Sequence, residues 1–282
     1  MFENAVIGGA YFRLMRFEKP IGIFLLWFPV AIALWLANQG KPPLNLIIYF
    51  FLGTVVMRAA GCVVNDIADR HIDRHVRRTQ KRPLITGEVS LQGSLLLLVV
   101  LLCLALWIVI QLPMRCFYYA LLGLLVTVLY PFCKRWFQAP QFVLGIAFSV
   151  AIPMVYTASS VPLNSIMILQ VVINLLWVIS YDTMYAMVDR EDDLRLGVKS
   201  TAVLLGAYDC WIIAILQFII HGLWLLIARD TPMNIWFYGC WLLGACILIY
   251  QQILIKNRNP ASCFQAFKCN GLYGLMMWIS VL

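Results

Sequence analysis

From Leu95 to Leu106 every side chain is aliphatic except Cys103, and the surrounding stretch 92–112 carries no charge. Such a run fits neither an amphipathic helix nor a strand of a transmembrane β-barrel, in which apolar and polar residues alternate. About 20 apolar residues make one helical crossing of a bilayer. Eight further stretches have similar length and character: 20–38, 43–64, 115–132, 140–159, 163–184, 204–228, 233–255 and 261–281. The expected fold class is therefore all-α, a polytopic membrane protein with nine transmembrane helices.

Composition agrees. Of the 282 residues, 63% are hydrophobic and only 12% charged, too few charges to cover a water-soluble surface. A single integral-membrane domain over residues 1–282 is expected. Residues 1–19, with Tyr11, Phe12, Leu14, Met15 and Phe17 among Arg13 and Arg16, read as an interfacial N-terminal helix. The two longest connections, 65–90 and 185–202, read as charged loops.

The Lys and Arg residues orient the chain. With the N-terminus inside, sixteen lie on the cytoplasmic face, and only Lys41, Arg115 and Arg229 on the other. The C-terminus is then outside, and both charged loops are cytoplasmic. The net charge of +8 is thereby a topology signal, and no basic run interleaved with exposed aromatics calls for nucleic acid. The nine cysteines are scattered through apolar sequence without a C-x-x-C pair, so they read as packing residues.

The scarce acids are not scattered. Asp66, Asp69 and Asp73 follow the second span, and Asp189, Glu191, Asp192 and Asp193 follow the sixth, seven of thirteen in two windows. If the second span continues as a helix, Asn65, Asp66, Asp69 and Asp73 form one stripe. Asp182, Asp189 and Asp193 fall within roughly 40° of one another on a helical wheel. Spans two and six run in the same direction, so both stripes reach the same membrane face.

Stacked carboxylates repel, and a membrane boundary adds desolvation. Hard oxygen donors without paired His or Cys select Mg²⁺ or Mn²⁺. Mg²⁺ is usually held by one or two carboxylates plus substrate phosphate, so two stripes point to a diphosphate clamped by two metal ions. The competing reading is that these acids pair with neighbouring Arg residues. Arg58 lies seven residues before Asn65, inside the apolar span, where an Arg needs a partner or a polar cavity. Asp182 is deeper than the other acids, beside Tyr181 and Tyr185.

A wider set of residues then comes into view. It runs from Arg16-x-x-Lys19-Pro20-Ile21-Gly22 through Arg58-x-x-Gly61-Cys62-x-x-Asn65-Asp66-x-x-Asp69-x-x-x-Asp73 and Arg82-Pro83-Leu84-x-x-Gly87 to Tyr130-Pro131-x-x-Lys134-Arg135. It ends in Tyr181-Asp182-Thr183-x-Tyr185-Ala186-x-x-Asp189-x-x-Asp192-Asp193-x-x-x-Gly197-x-Lys199-Ser200. This pattern resembles the UbiA-type intramembrane prenyltransferases, and its second half is most similar to the branch that prenylates 4-hydroxybenzoate for ubiquinone synthesis.

The resemblance implies a helical bundle around a central cavity in a bacterial inner membrane, with both Asp-rich motifs at the cytoplasmic mouth. It implies Mg²⁺ as cofactor, with metal-ligand roles for Asn65, Asp69, Asp73, Asp189 and Asp193; Asp66 joins them from the stripe. The implied activity is transfer of a polyprenyl group from polyprenyl diphosphate to the ring carbon ortho to the hydroxyl of 4-hydroxybenzoate, releasing diphosphate. Arg58, Lys134, Arg135 and Lys199 are candidate diphosphate clamps. Arg135, with Arg16 in reserve, is the candidate for the acceptor's carboxylate, and Asp69, Asp73, Asp189, Asp193, Arg58 and Arg135 form the expected catalytic set. Branches with a naphthoate or haem acceptor carry a different second motif. A secondary transporter would place its charges near the bilayer midplane, and a CDP-alcohol phosphotransferase would show one Asp-rich signature instead of two.

Overall fold

The computed structural model describes residues 2–282; Met1, the first residue of the expected interfacial segment, lies outside the described residues. Those residues form helices and no strand: α1 (Phe2–Leu14), α2 (Ile21–Ala37), α3 (Leu44–Asp73), α4 (Pro83–Thr86), α5 (Leu91–Val109), α6 (Met114–Cys133) and α7 (Pro140–Ser149). They continue with α8 (Ala151–Ala158), α9 (Ser165–Leu196), α10 (Thr201–Leu205), α11 (Asp209–Asp230), α12 (Ile235–Ile255) and α13 (Pro260–Ile279).

Every expected span is helical, but fewer than the nine expected have the full length and hydropathy of a crossing: among the described residues seven do, counting α7 with α8 and α10 with α11 as continuous units. Helix α2 is apolar but has 17 residues, and α13 is less apolar because it carries Gln265, Lys268 and Asn270. The break between α7 and α8 has a local cause: the ring of Pro153 clashes with the carbonyl four residues earlier, that of Ser149, so the helix cannot run straight through.

Helices α3 and α9 have 30 and 32 residues, or roughly 45 Å at 1.5 Å per residue, well beyond a hydrocarbon core of about 30 Å. They therefore carry their helical geometry past the bilayer. This corrects the two Asp-rich loops: Asn65 to Asp73 are the last turns of α3, and Tyr185 to Leu196 the last turns of α9. What remains of the first connection is the segment 74–90, containing α4; Gly87, at φ +81°, ends that helix in a left-handed conformation favoured by glycine. Ser90 then caps α5 by accepting a hydrogen bond from the Gly93 amide.

The bundle has two halves. Helices α2, α3, α5, α6, α7–α8 and α9 surround a cavity that the start of α13 also lines, while α11 and α13 pack against α9, α12 against α13 and α11, and α13 also against α2. Large apolar side chains such as Leu96, Phe218 and Trp236 are exposed on the outer faces. In water these would form an aggregating patch; in lipid they are the expected contact surface. This is an integral membrane protein.

Candidate functional site

The central cavity has a volume of about 1440 Å³, and its charged lining residues gather toward one end. Its mouth is walled by the last turns of α3 and α9, and deeper in it is lined by Met57, Ile108, Leu124, Leu144 and Phe148. A ligand with a charged head and a long apolar tail matches that division.

Of the residues named from sequence, Arg16, Arg58, Asn65, Asp66, Asp69, Asp73, Lys134, Asp182, Asp189, Asp193 and Lys199 all line this one cavity. The two stripes, more than a hundred residues apart in sequence, do meet. Helical period put the acids of each motif on a common face, and the parallel course of α3 and α9 brought the faces together.

The carboxylates meet cations. Lys134, just past the end of α6, donates to Asn65 Oδ1 at 3.0 Å and Asp69 Oδ2 at 2.8 Å. Arg82 donates to Asp66 Oδ1 at 2.9 Å and also to Asp73. Arg16 reaches both oxygens of Asp66 at 2.8 and 2.9 Å. From the second motif, Asp189 accepts from Arg78, and Asp192 accepts from the Arg77 amide at 3.1 Å. Burial works against the Arg82 guanidinium, yet Asp66 and Asp73 outweigh it and hold its pKa above the ordinary value. Burial likewise opposes the Lys134 ammonium, but the oxygens of Tyr130, Asp69 and Asp73 prevail and raise its pKa. Both groups stay charged.

Three expectations change accordingly. Asp66, 2% exposed, is bonded to two guanidinium groups and sits in an arginine cluster, unlike Asp69, whose Oδ1 has no hydrogen-bond partner. Arg16 is committed to the same carboxylate. Arg135 does not line the cavity: it donates to the Ala68 carbonyl at 2.9 Å and lies 5.4 Å from the Phe132 ring centroid. Successive residues at a helix end point about 100° apart, so with Lys134 turned inward its neighbour faces outward.

Among the described residues no three Asp, Glu, His or Cys side chains converge on a common point. Asp66, Asp69, Asp73 and Asp189 of the mouth are paired with Arg and Lys, as the competing reading of the acids expected. The donor set nonetheless fits a hard divalent cation. Asp69 Oδ1 is buried without a hydrogen-bond partner, Asp73, Asp189 and Asp193 line the same mouth, and an ion shared with a substrate's phosphate oxygens needs only one or two carboxylates.

Two features position the second motif. Gly197, at φ +70°, ends α9 four residues after Asp193. The chain then turns so that the Lys199 amide donates to the Lys134 carbonyl at 2.8 Å, tying the motif to the end of α6. Sequence reasoning missed Arg78 and Arg82 as partners of the acids; the Arg82-Pro83-Leu84 motif marked one of them without showing its role. Gly22 is a further case. A Cβ there would lie 2.4 Å from Arg58 Nε, so the glycine makes room for the Arg58 guanidinium across the α2–α3 contact.

Known proteins are similar along nearly the whole chain. The model of the UbiA prenyltransferase family matches residues 26–281. The 4-hydroxybenzoate octaprenyltransferase of Legionella pneumophila (strain Lens) is 56% identical over 272 residues, covering 96% of each chain. Its counterpart in Coxiella burnetii (strain CbuK_Q154) is 45% identical over 96% of this chain and 95% of its own. Two solved structures share the fold. One is the apo form of a UbiA homolog from Aeropyrum pernix K1, with TM-score 0.80 and 23% identity over 92% of this chain and 96% of that one. The other is a UbiA homolog from Archaeoglobus fulgidus bound to GPP and Mg²⁺, with TM-score 0.74 and 17% identity over 96% and 99%. With two Asp-rich helix ends facing each other over one cavity, and with likeness that runs nearly end to end, the chain belongs to the UbiA prenyltransferase family.

Proposed function

We infer that the protein transfers a polyprenyl group from polyprenyl diphosphate to the ring carbon ortho to the hydroxyl of 4-hydroxybenzoate, releasing diphosphate, as a step of ubiquinone biosynthesis. The observation that carries this is the division of the cavity into a charged mouth and an apolar interior large enough for a long isoprenoid. The acceptor follows from the relatives, whose names specify 4-hydroxybenzoate. The whole chain acts as one unit in a bacterial inner membrane, with the N-terminus, α1 at the interface, and both Asp-rich helix ends on the cytoplasmic side. The excess of Lys and Arg on that face supports this orientation.

Asn65, Asp69, Asp73, Asp189 and Asp193 would hold Mg²⁺, which when bound supplies charge neutralisation for the leaving diphosphate. Lys134, Lys199, Arg78 and Arg82 bring further positive charge to the same mouth and orient the diphosphate above the apolar interior. Asp66 holds Arg16 and Arg82 in place. The acceptor's carboxylate needs a cation inside the cavity. With Arg135 turned outward and Arg16 bonded to Asp66, Arg58 is the guanidinium within a spanning helix that faces the cavity. The apolar walls exclude water from the allylic cation, which would otherwise be hydrolysed.

The test is mass analysis of the lipid product when purified protein is given a prenyl diphosphate, Mg²⁺ and a panel of phenolic acids. Prenylated 4-hydroxybenzoate is the expected main product. A preference for 1,4-dihydroxy-2-naphthoate would overturn the acceptor assignment.

A further inference from the structure

Asp182 lines the cavity and has no part in the scheme so far. It precedes Asp189 by seven residues on α9, so the two carboxylates share a helix face, and it lies roughly 10 Å deeper along the axis. Its surroundings differ from those of the other acids. Every other carboxylate lining the cavity, Asp193 excepted, has a Lys or Arg nitrogen within ion-pair distance. Asp182 has none among the described residues; its side-chain hydrogen-bond partner is the neutral Gln141, and Arg58 and Tyr130 line the same cavity without pairing to it.

Position and pairing together suggest a task. If the diphosphate is held at the mouth and the isoprenoid runs inward, the allylic carbon and the acceptor ring meet below the two stripes, at the depth of Asp182. Substitution on an aromatic ring ends with loss of a ring proton, which needs an acceptor at that place. A carboxylate bonded to a guanidinium forfeits that attraction on taking a proton, whereas one without a cation at ion-pair distance has no such attraction to lose.

We propose that Asp182 is the catalytic base of the transfer, taking the proton from the ring carbon that has bonded to the prenyl group. The ring's π pair forms the new C–C bond to the allylic carbon, whose bond to the diphosphate oxygen breaks with its electron pair staying on the diphosphate. The C–H bond at the substituted ring carbon then breaks, and its pair restores the aromatic ring. The proton passes to an Asp182 oxygen and from there to water at the mouth. This step rests on the 4-hydroxybenzoate reading above.

The experiment uses the full chain in detergent or nanodiscs, prenyl diphosphate, Mg²⁺, and 4-hydroxybenzoate either unlabelled or deuterated at both carbons next to the one bearing the hydroxyl. If wild-type protein does not prenylate this acceptor, the underlying reading fails and this step with it. Given wild-type turnover, Asp182→Asn should lower kcat about a hundredfold or more with KM for prenyl diphosphate unchanged, and should show a deuterium isotope effect larger than that of wild type. Unchanged kcat, or a loss of rate without any rise in the isotope effect, overturns the base assignment alone. If the Asn variant does not fold, Asp182→Glu decides: slower turnover with a raised isotope effect supports the role, and a wild-type isotope effect overturns it.

Discussion

The Arg78 guanidinium donates to both carboxylate oxygens of Asp189, its Nε lying 3.0 and 3.1 Å from them, across 111 residues of sequence. With the Arg77 amide on Asp192, and with Arg195 donating to the His75 carbonyl at 2.8 Å, it ties the segment after α3 to the last turns of α9. The two sides of the cavity mouth are thus held to each other by charge. This has consequences for how variants of the mouth behave.

Removing one carboxylate from either motif leaves a cation that water at the mouth can solvate, so the fold survives. Asp69→Ala and Asp189→Ala should each lower turnover by at least a hundredfold, the scale of losing a preorganised electrostatic group, with the yield of folded protein nearly unchanged. Substantial residual turnover in either variant would exclude the two-motif assignment.

Chelation with EDTA should abolish turnover, and added Mg²⁺ should restore it. Circular dichroism should not change during the cycle, because helix packing and the ion pairs of Arg78, Arg82 and Lys134 with the carboxylates hold the mouth together. Loss of helical signal on chelation would mean that the metal holds the fold together.

Arg58 and Arg135 offer a direct contrast. Arg58→Ala should raise KM for 4-hydroxybenzoate at least tenfold, about 1.4 kcal/mol, while Arg135→Ala should stay within a factor of about three because its side chain lies outside the cavity. Initial rates over a range of acceptor concentrations separate them, and the reverse order would return the acceptor's carboxylate to Arg135.

Gly22→Ala should behave as a milder Arg58 variant, since its Cβ would sit 2.4 Å from Arg58 Nε. Overpacking of this kind displaces the softer neighbour, and a shift of the guanidinium should raise KM for the acceptor roughly tenfold at little cost in thermal stability. Gly61→Ala, whose Cβ would meet only Thr127 Cγ2 at 3.6 Å, is the matched control and should be silent. Equal effects from both would show that the position of Arg58 is not what matters.

The site was legible from sequence where its logic is periodic. The stripe Asn65, Asp69, Asp73 and the set Asp182, Asp189, Asp193 follow from helical spacing alone, provided the helices outlast the bilayer, and α3 and α9 do. The boundary itself was not legible: hydropathy ends a span where polar residues begin, whereas the backbone hydrogen bonds continue for as long as the helix can satisfy them. The orientation of Lys134 against Arg135 was equally hidden, because two adjacent cations after Pro131 give the same pattern whichever one faces inward.

Sequence by itself determined the solvent, the helical class, the family and the residues that supply the chemistry, since hydropathy and the 3.6-residue period are local properties of a chain. Only the tertiary structure decided which cation answers which carboxylate. Arg82 bridges Asp66 and Asp73, Arg78 crosses to Asp189, Arg16 is drawn onto Asp66, and Asp182 is left without a cation at ion-pair distance among the described residues. Those pairings depend on distances between helices remote in sequence, and Coulomb energy changes with such distances.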